Sequence, residues 1–143
     1  VTSEVDVTFA LNLTKQTFGK LNLIVNCAGI IGGEPIYDFV ARKPHSADEW
    51  NKYFRVNVFG TFNVIRLAVP IMTDNVPDED NQRGLIVNLG SAAGYGVTDD
   101  LLAYGASKAA VMSMTEPLAR FLAEYGIRVV ALAPGVTDTP LIA

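Results

Sequence analysis

The chain has 143 residues, half of them hydrophobic, and a formal net charge of -4; that is enough for one hydrophobic core and too little for two ordinary domains. Its lysines and arginines form no cluster, so neither a nucleic-acid surface nor attraction to an anionic membrane is expected. No uninterrupted apolar run approaches the roughly 20 residues of a membrane helix, the first residues show neither a signal-peptide nor a transit-peptide pattern, and the single cysteine, Cys27, excludes an intrachain disulfide and fits a reducing compartment.

In chain order, Val5 to Phe18 is predicted to be helical and to stop at Gly19. Leu21 to Val25 is the first apolar strand, and a long polar loop follows it. His45 in that loop has no histidine or cysteine partner and is expected in solvent. Ser46-Ala47-Asp48-Glu49 forms a capping box for a helix from about Ala47 to about Thr73. Trp50, Phe54, Val58 and Phe62 lie on one stripe of that helix, while Val56, Phe59 and Val64 lie off it and supply more apolar surface than one sheet face can bury. The acidic stretch Asp74 to Gln82 lacks metal-ligand spacing and is expected to be a solvated loop. Leu85 to Leu89 is the second strand. A helix from about Leu102 to Tyr125 should be kinked at Pro117 and stopped by Gly126, and Ile127 to Leu132 is the third strand. Strands apolar on both faces, alternating with helices, predict a parallel, doubly wound α/β sheet of the Rossmann type.

The chemistry concentrates in Ser91, Tyr104 and Lys108, spaced as Ser-(x)12-Tyr-Gly-Ala-Ser-Lys directly after the second strand. On a helix, Tyr104 and Lys108 project from one face a turn apart. A fixed positive charge beside a phenol favours phenolate, so such a tyrosine can exchange a proton with an alcohol or a carbonyl oxygen. Ser91, at the carboxyl end of a strand where open α/β sheets hold their ligands, is expected to donate to the same oxygen, the lesser alternative being a turn or cap serine. Cys27 is expected to pack as a small residue at a strand end rather than to act in redox chemistry.

These motifs, in this order, resemble the short-chain dehydrogenase/reductase family: Asn26-Cys27-Ala28-Gly29, Asn57 within Val56-Asn57-Val58, Ser91, Tyr104 with Lys108, and Pro134-Gly135 followed by Thr139. Phe18-Gly19-Lys20, Gly60 to Leu67 and Asn81 to Gly84 are similar to its mitochondrial branch, which acts on 3-hydroxyacyl-CoA and hydroxysteroid substrates. The resemblance implies an oxidoreductase that moves a hydride between NAD, with NADP not excluded, and a secondary alcohol or ketone. Tyr104 would be the acid/base, Lys108 would bind the nicotinamide ribose and support Tyr104, and Ser91 would hold the substrate oxygen. Asn57 would help to hold a water beside Lys108, or be a buried structural amide. Asn26, Cys27, Ala28 and Gly29 would lie along the cofactor, Val1 near its adenine, and Pro134, Gly135, Thr137 and Thr139 around its nicotinamide. It also implies a homodimer or homotetramer built through the two long helices, and a matrix location, with the cytoplasm not excluded.

Two features depart from that pattern. No glycine-rich phosphate turn occurs in the chain, so residues 1–143 read as a partial Rossmann domain lacking the N-terminal glycine-rich unit and the C-terminal substrate-covering part. The alternative reading is a non-catalytic fragment unable to bind cofactor. Asp99 and Asp100, between Ser91 and Tyr104, are expected to face solvent; facing a pocket, they would disfavour anionic substrates.

Overall fold

The computed structural model describes residues 1–139. Helix α1 (Glu4–Phe18) begins where the Ser3 hydroxyl accepts from the Asp6 amide, and ends at Gly19 with φ 77, a left-handed conformation that costs glycine nothing. Strand β1 (Leu23–Asn26) follows. The loop after it is not featureless: β2 (Tyr37–Asp38) and β3 (Lys43–Pro44) pair as a small antiparallel hairpin. Ser46 caps α2 (Ala47–Tyr53) by accepting from Glu49 N at 3.3 Å, as the capping box predicts. The helix then passes through a π segment (Phe54–Phe59) into α3 (Gly60–Thr73). Strand β4 (Gly84–Leu89), helix α4 (Leu102–Ala123) and strand β5 (Ile127–Leu132) complete the order.

The three long strands form one parallel sheet in the order β1-β4-β5, with Ile24, Ile86 and Val129 in one row and Asn26, Asn88 and Ala131 in another. Ile24, Ile86, Ile127 and Val129 meet Val7 and Leu11 of α1, Ile65, Ala68 and Met72 of α3, and Leu122 of α4 in a single core. All three helices therefore cover the same face of the sheet. The opposite face is apolar, as predicted, but among the described residues it is not covered: Leu23, Val25, Val130 and Leu132 are 54%, 48%, 42% and 53% exposed.

The π segment changes the expected aromatic stripe. Its wider turn inserts an extra residue and rotates the side chains that follow. Trp50 and Phe54 stack at 4.9 Å, whereas Phe59 and Phe62 turn outward at 38% and 45% exposure. The whole helix, Ala47–Thr73, is long and apolar enough to cross a membrane by length and composition, although no uninterrupted apolar run marks it. It serves as a core helix here: Asn57 and Asn63 are 1% and 0% exposed, and Ile65, Ala68 and Met72 pack under the sheet. His45 also departs from expectation. Its side chain is 6% exposed, because Nδ1 bonds Ser46 O at 2.9 Å and the ring packs edge-on against Trp50.

Candidate active site

The carboxyl ends of the strands set the site. Chain leaving β1 at Cys27, leaving β4 through Gly90 and Ser91, and leaving β5 through Pro134 to Thr139 meets the first turns of α4 around a cavity of about 570 Å³. Ser91, Tyr104 and Lys108 all line it, as do Cys27, Pro134, Gly135, Thr137 and Thr139. The rest of its wall is mostly small or aliphatic, including Ile31, Ala93, Val97, Leu101 and Val136.

Tyr104 and Lys108 rise from the buried face of α4, each 7% exposed, with Lys108 Nζ 5.9 Å from the Tyr104 ring centre. Lys108 Nζ donates to Leu89 O at 2.9 Å, which ties the helix to the end of β4. Burial pushes the ammonium below its ordinary lysine range, and the nearby Cys27 partly opposes that. An ammonium carries three N–H donors, and only the one to Leu89 has a partner among the described residues. Such a donor set suits a vicinal diol, as in a ribose. The Gly29 backbone runs so close that a Cβ there would stand 3.3 Å from Asn57 Oδ1 and 3.5 Å from Lys108 Nζ. Ser91 is extended (φ -168, ψ 152), and its Oγ accepts from Ala93 N at 3.1 Å. It thus caps the short turn Ala92–Gly94 while facing the cavity.

The remaining predicted residues stand apart from the cavity wall. Asn57 directs both ends of its amide at protein: Oδ1 accepts from Ile30 N at 2.8 Å, and Nδ2 donates to Ile30 O at 3.0 Å and to Ser107 Oγ at 2.9 Å. Asn26 turns into the sheet, where Nδ2 donates to Asn88 Oδ1 at 2.9 Å. Cys27, which does line the cavity, corrects an expectation, being exposed rather than packed. Ala28 is exposed on the same loop. Val1 packs on Gly60, and its carbonyl accepts from Asn63 Nδ2 at 2.9 Å. Asp99 and Asp100 are exposed and outside the cavity lining, with Asp100 Oδ1 accepting from Thr98 Oγ1 at 2.6 Å. Sequence reasoning missed the Leu89 carbonyl, a backbone atom with no signature, and Ser107, which sits inside the Tyr-Gly-Ala-Ser-Lys motif.

The sequence matches the short chain dehydrogenase family profile over residues 1–143. The chain belongs to that family. It is 45% identical over 143 residues to 3-hydroxyacyl-CoA dehydrogenase type-2 of Drosophila melanogaster, covering 100% of this chain and 56% of that protein. The structure superposes on that of 3-hydroxyacyl-CoA dehydrogenase type-2 from Mycobacterium avium with a TM-score of 0.92 and 33% identity, over 99% of this chain and 55% of the other. It also superposes on an NAD+-bound xylitol dehydrogenase with a TM-score of 0.83 and 32% identity, over 99% and 50% of the two chains. The chain spans about half the length of the curated relatives it matches.

Proposed function

We propose that this protein, within a complete short-chain dehydrogenase, interconverts a secondary alcohol and a ketone using NAD, with NADP as the alternative. What carries the reading is the convergence of Ser91, Tyr104 and Lys108 on one largely apolar cavity at the carboxyl edge of the sheet, where ligands of such folds bind. The nicotinamide, when bound, supplies or accepts the hydride, which no side chain can do. Tyr104 Oη takes the hydroxyl proton during oxidation and returns it to the carbonyl oxygen during reduction. Ser91 Oγ donates to that oxygen and stabilises charge developing on it. Lys108, fixed at Leu89 O, supports the Tyr104 oxygen electrostatically and would hold the cofactor ribose through its two other N–H groups. Pro134, Gly135, Thr137 and Thr139, which line the same cavity, would hold the nicotinamide. Asn57 and Asn26 shape the loop from Cys27 to Ile30 rather than touching substrate.

The substrate class we favour is a 3-hydroxyacyl-CoA or a hydroxysteroid. The aliphatic wall and the outward position of Asp99 and Asp100 support it, as do the relatives named above. The uncovered face of the sheet supports reading residues 1–143 as the central and C-terminal part of one Rossmann domain. Phe59 and Phe62, outward on the long helix, support a homodimer or homotetramer. The test is a spectrophotometric assay of the full-length protein with NAD and a panel of 3-hydroxyacyl-CoA and hydroxysteroid substrates. Turnover with one class assigns the substrate; no reduction of NAD or NADP by any secondary alcohol refutes the reading.

A further inference from the structure

Ser107 and Thr115 are buried hydroxyl residues on the inward side of α4, in one i, i+4 row with Val111 between them. Each directs its proton at its own helix: Ser107 Oγ donates to Tyr104 O at 2.7 Å, and Thr115 Oγ1 to Val111 O at 3.2 Å. With the proton so committed, each oxygen can only accept from a neighbour. Each takes an asparagine amide, Ser107 from Asn57 Nδ2 at 2.9 Å and Thr115 from Asn88 Nδ2 at 3.3 Å. That fixes which way round the Asn88 amide sits and adds to the hold that Ile30 N and O already have on the Asn57 amide. Asn57 is left presenting Oδ1 to the Ile30 N–H, and Asn88 presenting Oδ1 to Asn26 Nδ2. Asn26 and Ile30 are the two ends of the segment that carries Cys27 into the cavity.

We infer that Ser107 and Thr115 are positioning residues: through Asn57 and Asn88 they suspend both ends of the Asn26 to Ile30 segment from the helix that bears Tyr104 and Lys108. The cofactor-facing loop and the proton-transfer pair are then held as one body, with their spacing set by buried hydrogen bonds rather than by loop packing. The kinetic consequence rests on the dehydrogenase reading, and the geometric one does not. Loss of the Thr115 hydroxyl frees the Asn88 amide to rotate, loss of the Ser107 hydroxyl leaves the Asn57 amide held by Ile30 alone, and each loosens one end of the loop. The effect should fall on cofactor affinity more than on the chemical step.

The experiment uses the full-length protein with Ser107→Ala, Thr115→Val and Thr115→Ser. Hydrogen exchange at the Ile30 amide should quicken about tenfold in Ser107→Ala, as expected for losing the support of one buried hydrogen bond. In Thr115→Val, which keeps the shape but not the hydroxyl, KM for NAD should rise about fivefold with kcat changed less than twofold, a split expected when binding rather than the transition state is affected. Thr115→Ser, which keeps the hydroxyl, should behave like the parent. Unchanged exchange at Ile30 in Ser107→Ala, or Thr115→Ser as impaired as Thr115→Val, overturns the inference. Should Ser107→Ala fail to fold, the Thr115 pair decides alone. Should the parent protein show no dehydrogenase activity, the functional reading fails while the exchange measurements still test the suspension.

Discussion

Asn57→Ala probes the joint between the long helix and the loop from Asn26 to Ile30. The side chain is 1% exposed and makes three hydrogen bonds, to Ile30 N, Ile30 O and Ser107 Oγ. At about 1 kcal/mol net for each intramolecular hydrogen bond, truncation should cost about 3 kcal/mol. For a chain of the relatives' length, where 1 kcal/mol moves Tm by about 2–4 °C, that is a fall of about 6–12 °C. Asn57→Asp separates hydrogen bonding from shape. Its carboxylate can still accept from Ile30 N–H but turns an oxygen on Ile30 O in place of a donor. Burial and that carbonyl favour the protonated acid, so the folded state holds a proton that the unfolded state has released, and stability falls as pH rises above the ordinary carboxylate range. Guanidinium titrations at pH 5 and pH 8 should therefore show Asn57→Asp losing ground to Asn57→Ala at the higher pH. An Asn57→Ala protein within about 0.5 kcal/mol of the parent, the range of an indifferent surface change, or two variants with parallel pH profiles, would refute the reasoning.

Lys108 gives a second pH test: burial holds it below its ordinary value, so between the folded pKa and an unfolded value of about 10.4 the unfolded chain binds more protons and stability rises with pH. Denaturant titrations at pH 8 and pH 10 should show that rise in the parent relative to Lys108→Met, and equal slopes would remove the desolvation argument. Phe59, 38% exposed beside Phe62, tests assembly: Phe59→Glu should sediment as a smaller species with an unchanged circular dichroism spectrum. A parent protein that is already monomeric at micromolar concentration would sink the oligomer proposal.

Much of the backbone could be read because the strand and helix signals are local. Ile127 to Leu132 is a strand over the predicted residues, Gly19 stops α1, and Ser46 caps α2, each through short-range chemistry. The first strand is shifted to Leu23–Asn26 because Asn26 stays in register with Asn88, a partner distant in sequence. The hairpin of β2 and β3 escaped because two-residue exposed strands carry no alternation. The π segment escaped because its single extra residue leaves the apolar spacing nearly helical on both sides. Tyr104 and Lys108 were legible since one helix holds both. The grip of Asn57 on Ile30 was not, since it joins residues from a helix and a distant loop. His45 looked solvated because its polar neighbours in sequence give no hint of Trp50 packing over it.

Tyr104→Phe decides whether the proton-relay site is real. The residue is 7% exposed and on the cavity wall, and the substitution deletes one oxygen while leaving the ring to pack as before. In the full-length enzyme, with the best secondary alcohol substrate and saturating NAD, kcat should fall by roughly 10²- to 10⁴-fold, the contribution of general acid/base catalysis, with Tm close to that of the parent. A Tyr104→Phe enzyme that turns over at the parental rate would contradict the assignment of Tyr104 and the mechanism built on it.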